Sequence, residues 1–479
     1  MKTIVRFSSK SESAKFNIRL HSFFFLCGVL FVGCKSIEPL APTETIIDPP
    51  ISEAKASYLS IPIEINLESY YKSAESSIPT SFSGKEKNCE GLSYTYQLKR
   101  DPILFKTNAV GLDFSTKVAY SLDLSYCPKC TYLFSNEGNC VVPRFFGSCG
   151  INEPMRSASI SFATKLEIAS NFNLKSTTNL TKLDLSDPCE ITLVNYDITS
   201  TLDKEIRKEM KTIQSEIDKE IGKIDIKSTC ASAWKQLQEI IPIETYGYLK
   251  LSPSKIALSA LKFNQNKVCF DLGIESYPTI QTEKPISKPI ALPNLSAIKK
   301  TDGFQLNMDI FASYDSLNQW VAKSLQGSEF ILKGRKIRLD SVQLIGADGK
   351  RIHLSIQFSG ARKGKLYFSA QPKLDVNHQI IYLSDIQFDL KTKSILLKSA
   401  KWLFNEQIIK RLEHEAKIDL KSIFTEAKHE ITKSLNQDLE KNVHLSGSVH
   451  KMDVIDLFPL KKGLFIRSEI TGKLKLNID

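Results

Sequence analysis

The residues whose types and spacing could do chemistry are cysteines: Cys89, Cys127, Cys130, Cys140, Cys149, Cys189, Cys230 and Cys269. Cys127-x-x-Cys130 with Cys140 and Cys149 puts four thiols within 23 residues, a set that would suit tetrahedral zinc. The same eight cysteines would alternatively close up to four disulfides, chosen from roughly a hundred connectivities. His414-Glu415 and His429-Glu430 begin like a zinc-protease helix, but neither has the second histidine three residues further on. There is no GxSxG elbow, GxGxxG turn or phosphate loop. His353 alternates with core residues in RIHLSIQF, and His444 and His450 share one strand without a carboxylate pattern. The carboxylates are scattered, with no pair to assign to glycoside chemistry. The expectation is a protein that is not an enzyme and carries no cofactor and no metal.

A second chemical signal lies at the N-terminus. Lys2, Arg6, Lys10, Lys15 and Arg19 precede the apolar run Phe23–Gly33, which is too short for an ordinary transmembrane helix and suits a signal-peptide core. Gly33 immediately before Cys34 resembles a bacterial lipobox. Cleavage there would leave Cys34 as a first residue carrying a diacylglycerol anchor, with palmitate as the expected acyl label. The chain is then exported and lipid-anchored to the bacterial cell envelope, at the outer membrane. An oxidising compartment favours disulfides over zinc. The formal charge of +11 includes the five cations and one acid, Glu12, of residues 1–33 and falls to +7 without them. That mild excess, with no long Lys/Arg run, argues against nucleic acid.

Hydrophobic residues at 42% and charged residues at 24% are globular values, and 479 residues exceed one ordinary core. Residues 34–57, with Pro39, Pro42, Pro49 and Pro50, read as a Pro-rich stalk. Residues 58–280 read as a first unit, 281–300 as a Pro-punctuated linker and 301–479 as a second unit. The Cys-rich stretch near 120–150 reads as an insert that needs staples because it lacks a core of its own.

Each unit combines alternating strands with a long amphipathic helix. In the first, Ile206, Met210, Ile213, Ile217, Ile221 and Ile224 recur at helical steps from Leu202, with a further piece to Ile240. In the second, Phe404, Ile408, Leu412, Ala416, Leu420, Ile423, Ala427, Ile431 and Leu435 predict one helix from Trp402 to Leu439. SIPIEINLESYY resembles FQLNMDIFASYD, which supports internal duplication. A strand from Cys189 to Thr199 would run out on the order of 33 Å. A helix from Asp203 to Cys230 would come back on the order of 40 Å, so a Cys189–Cys230 disulfide is expected.

This order of anchor, strand, short helix, strand meander, long helix and repeat resembles a domain-of-unknown-function family of bacterial lipoproteins. That family is placed in the tubular lipid-binding (TULIP) superfamily, with bactericidal permeability-increasing protein and lipid-transfer proteins. The resemblance covers about residues 58–479. It implies an α+β fold of two tandem tubular units, each a long amphipathic helix packed on a highly curved antiparallel sheet, with acyl chains bound inside.

The expected function is a membrane-anchored lipoprotein that binds or shuttles a lipid or other apolar small molecule. Ile206, Met210, Ile213 and Ile217 would line the first tube, and Phe404, Ile408, Leu412 and Ile423 the second. The alternative is a structural or adhesive surface lipoprotein with side-chain-filled tubes. The membrane would be met through acylated Cys34, and nothing in the sequence names a protein partner.

Overall fold

The computed structural model describes residues 48, 51–132, 138–191, 196–243, 247–332, 335–360, 363–388, 409–410, 413–414, 417–440 and 442–479. Cys34 and the rest of the leader lie outside them, as do Phe404, Ile408 and Leu412.

The described helices are α1 (Glu68–Ser77), α2 (Thr199–Gly222), α3 (Ile226–Gln236), α4 (Tyr314–Leu325) and α5 (Leu420–Ser434). Residues 409–410 and 413–414 are also helical, and the rest of the described regular structure is strand, in three main sheets. The N-terminal sheet has seven strands, its main path running Leu174–Leu185, Arg156–Ile168, Gly111–Cys127, Gly91–Arg100 and Ser81–Glu86. The C-terminal sheet has six strands in sequence order, from Glu329–Leu332 to Ile418–Asp419.

The third sheet, of eleven strands, is built by both halves of the chain. Ser57–Asn66 pairs antiparallel with Lys267–Ser276 and parallel with Gly463–Ile478, where Ile63 lies opposite Leu476. Phe304–Ser313 runs antiparallel to Gly463–Ile478, from Phe304 opposite Gly472 to Ser313 opposite Gly463. It also pairs parallel with Thr279–Gln281 from the first half.

This arrangement corrects the expected fold class. The protein is predominantly β, its sheets curl as half-barrels, and it is not two tandem units each built on a long helix. The strand-then-helix order does recur at Ser57–Ser77 and Phe304–Leu325. The two copies do not found separate units, because both of their strands lie in the shared sheet. Alternation tells which face of a strand is apolar, but the unpaired N–H and C=O groups at its edges choose the partner. Here that partner lies some 250 positions away, as in the Ser57 Oγ hydrogen bond to the Asn307 carbonyl.

The single helix expected from Trp402 to Leu439 is also corrected. Ile418–Asp419 is a strand pairing with Ile380 and Ile381, and α5 starts only at Leu420. Asp419 is its N-cap, accepting from the Lys421 N–H at 2.9 Å, a use of a short acid that competes with helix continuation. The helix stops at Ser434, where the Asn436 amide bonds to the Thr432 and Gly447 carbonyls and the chain re-enters a strand.

The stretch 281–300 packs closely against the first half. Leu292 and Leu295 press on Phe172, Trp234 and Ile256, and buried Gln238 bonds the backbone of Ile290 through both ends of its amide. Arg467 and Asp309 form an ion pair in the shared sheet that also holds Ser52 of the entering chain.

Three disulfides form: Cys89–Cys130, Cys127–Cys140 and Cys149–Cys189, leaving Cys230 and Cys269 as thiols. The expected Cys189–Cys230 bridge is therefore withdrawn. α2 ends at Gly222, Asp225 caps a new helix, and Cys230 is carried into the Phe172–Trp234–Ile256 cluster. Cys127, Cys130, Cys140 and Cys149 are all oxidised, so the four-thiolate zinc arrangement does not form.

Candidate ligand groove

The inner face of the N-terminal sheet is built by period-two alternation. Gly111–Cys127 buries Val118, Tyr120, Leu122 and Leu124 on one side. Register places Ala158, Ile160 and Phe162 beside that row, with Leu180 and Leu183 one strand further on. Toward the other edge the face continues through Tyr94, Tyr96 and Leu98 to Phe82. The Tyr96 ring lies across Gly84, where a Cβ would come within 2.6 Å of Cε1. At the lower end an aromatic series joins Tyr71 to Phe105 (centroids 5.1 Å), Phe105 to Phe114 (6.2 Å) and Phe114 to Phe162 (5.3 Å).

α2 lies along the last strand of this sheet and is tied to it by polar groups. The Asp218 carboxylate accepts from Ser176 Oγ at 2.8 Å, Thr178 Oγ1 at 2.7 Å and the Thr178 N–H at 3.1 Å. Arg207 donates to Asp203 at 2.7 Å and to the Leu183 carbonyl at 3.2 Å. On its other flank the helix approaches the first strands. Glu86 is held below the ordinary carboxylate range by hydrogen bonds from Tyr94 and Asn88, with Lys208 adding its charge. The Tyr94 hydroxyl is pushed up to about 12, chiefly by its hydrogen bond to Glu86, then by burial and by the charges of Glu86 and Glu209. The helix thus reaches from the last strand of the curled sheet toward its first two.

Between these ties its apolar stripe is left incompletely covered. Ile206, Met210 and Ile217 are half-buried, Ile213 is 37% exposed, and no residue of α2 is fully buried. Across the face, Phe82 and Tyr96 are exposed. Full burial of such a side chain is worth about 1.5–3 kcal/mol, so this face has binding free energy in reserve for an apolar ligand. Tyr71 Oη and Tyr120 Oη are buried without a hydrogen-bond partner among the described residues, and burial pushes both hydroxyls up. Such orphaned hydroxyls are places where a ligand's polar atom would be satisfied.

The second half differs. Its sheet buries Ile337, Val342, Ile356, Phe358 and Phe368, with Leu317 and Val321 of α4 packed against them, so its inner face is filled by side chains. Ile423 is on α5 and 44% exposed. His414 and His429 are both exposed. A cavity of about 100 Å³ in the shared sheet, lined in part by Ile63, Glu64, Lys262, Cys269, Phe270 and Lys475, is smaller than a lipid-sized site.

Sequence reasoning placed Ile206, Met210, Ile213 and Ile217 on one helix face, and the structure places all four on α2, which lies along the last strand of the N-terminal sheet. It missed Phe82, Tyr96 and the Tyr71–Phe105–Phe114–Phe162 series, although the alternation in GLSYTYQLKR carried part of that signal.

Asp218 supplies a pH prediction. Burial alone would raise its pKa, but the hydrogen bonds from Thr178 and Ser176 outweigh that and lower it from 3.8. A depressed folded pKa contributes stability that is fully present above the unfolded value and lost as pH falls through the folded one. Asp218→Ala is expected to cost about 1–3 kcal/mol of α2 docking near neutral pH. Hydrogen exchange over residues 199–222 checks this. The wild-type protection should fall toward that of the variant as the solution is acidified below 3.8.

A family model described as "Domain of unknown function (DUF4403)" matches residues 55–478. No curated protein sequence matches the chain. Among solved structures, lipopolysaccharide binding protein aligns at 11% identity and a TM-score of 0.24, over 88% of this chain and 98% of that one. P47 from Clostridium botulinum A2 aligns at 8% and 0.22, over 86% and 96%. Superpositions this loose carry no argument about ligand or mechanism.

Proposed function

The chain belongs to the DUF4403 family, and from that premise we propose that it is an exported lipoprotein that binds or shuttles a lipid or other apolar molecule. The ligand lies in the groove between α2 and the N-terminal sheet. The observation that carries this reading is the stripe Ile206, Met210, Ile213 and Ile217, held over an apolar face yet incompletely buried. Affinity comes from apolar contact at ~25 cal/mol per Å², which makes selectivity loose. Tyr71 and Tyr120 offer hydroxyls to a ligand head or carbonyl. The role is carriage, with no bond made or broken.

In this proposal Cys34 is acylated and holds the chain at the outer membrane of a bacterial envelope. Metabolic labelling with a palmitate analogue is expected to mark the wild-type chain and not Cys34→Ala. Equal labelling of both would remove the anchor from the proposal. The groove is tested by titrating a fluorescent fatty acid into detergent-free protein, where saturable uptake is expected.

A second reading, a structural or adhesive lipoprotein without ligand, has one observation in its favour. The inner face of the C-terminal sheet is already filled. That observation concerns the second half, and we assign the ligand to the first.

A further inference from the structure

The inner face of the N-terminal sheet does not end where its cover ends. The row Tyr94–Leu124–Gly147 runs straight across three strands, and Ile191 sits on it so closely that a Cβ on Gly147 would meet Ile191 Cγ2 at 2.2 Å. The next row out, Leu92–Tyr126–Phe145, lies on the same face and is exposed. Phe145 is 66% exposed, and Phe146, which alternation sends to the opposite face, is 61% exposed. Tyr132, Val141 and Val142 add further exposed apolar surface beside them.

Two disulfides brace this end, Cys89–Cys130 and Cys127–Cys140, where no cluster of buried apolar residues does among the described residues. The tip is at the far end of the 17-residue strand Gly111–Cys127 from Thr107 and Asn266, where the sheet meets the shared one. That is on the order of 50 Å along the strand. Residues 1–47 join at Asp48, which accepts from the Lys461 N–H at 2.7 Å at a turn of the shared sheet, so the chain's own leader enters elsewhere.

We propose that this disulfide-braced tip docks on a phospholipid bilayer and is where the groove exchanges its ligand, an inference that rests on the groove reading. Apolar side chains exposed on both faces of one sheet end need a medium that surrounds them. A flat protein surface covers one face only. Aromatic rings beside cations suit the bilayer interface. Among the described residues here Lys85, Lys87, Lys129 and Arg144 outnumber Glu86 and Glu90. Glu90 accepts from the Cys130 N–H and Glu86 from Asn88 and Tyr94, while Arg144 donates to the Asn88 and Cys89 carbonyls.

The test uses the full chain carrying Cys34→Ala, so that no acyl anchor contributes, with vesicles of phosphatidylethanolamine and phosphatidylglycerol. The parent is expected to co-sediment. Phe145→Asp with Phe146→Asp should lower the bound fraction about tenfold, Tyr132→Asp should lower it less, and Ile286→Asp, at an exposed site elsewhere, should leave it unchanged. Uptake of a monomeric fluorescent fatty acid, which needs no vesicle, should be the same in all four, and this also reports folding. A parent that takes up fatty acid but ignores vesicles overturns the docking proposal, as does a double variant that sediments like the parent. A parent that dimerises without vesicles, and loses the dimer in the double variant, makes the tip a protein interface and overturns it too. Tip-dependent sedimentation without fatty-acid uptake keeps the docking surface and removes the groove.

Discussion

Arg467→Ala is expected to lower the unfolding free energy by about 3–5 kcal/mol, the range for leaving a buried charge without its partner. The Arg467 guanidinium faces Asp309 across two strands, donating at 2.7 and 3.0 Å. It also donates to Ser52 Oγ at 2.6 Å and to the Ser52 carbonyl at 3.1 Å. Its side chain is 1% exposed and that of Asp309 14%, so water cannot replace the lost partner. The site joins the entering chain to strands of the second half in the sheet both halves share. Urea unfolding followed by circular dichroism checks the value. Arg467→Met with Asp309→Leu should recover most of the loss, because neither charge is then stranded. A single-variant change below about 1 kcal/mol would mean that the pair is solvated and does not secure the sheet.

Met210→Asp with Ile217→Asp is expected to weaken fatty-acid binding by about a hundredfold or more. Two apolar contacts worth about 1.5–3 kcal/mol each are removed, and a carboxylate is set against an acyl chain. At about 1.4 kcal/mol per tenfold the lower bound is already two decades. Neither side chain is fully buried without ligand, so the unfolding midpoint should hardly move. That split separates a lining role from a packing one. Large destabilisation with no specific loss of binding would make the stripe ordinary core.

What could be read in the sequence was local. Alternation in RIHLSIQF marked the face of its strand, and the three- and four-residue steps from Ile206 to Ile217 marked a helix face. What could not be read were choices between chemically similar partners. Cys189 bonds to Cys149 rather than Cys230 because a helix break at Gly222 turns the chain, and a glycine there is only a weak signal. Asp419 has the composition of a solvated helix face and acts as a cap. The shared sheet was hidden for the same reason. Ser57–Asn66 and Phe304–Ser313 each show an apolar face, and nothing in either says that both will pair with Gly463–Ile478. The groove was half visible, since its helix wall is periodic while its aromatic wall is assembled from six separate segments.

The central claim is that the groove under α2 holds an apolar molecule. Native mass spectrometry on chain purified without detergent tests it most directly. The account predicts a bound lipid mass that a fluorescent fatty acid displaces and that Met210→Asp with Ile217→Asp abolishes. A spectrum of bare protein alone, together with no fatty-acid uptake, would contradict it.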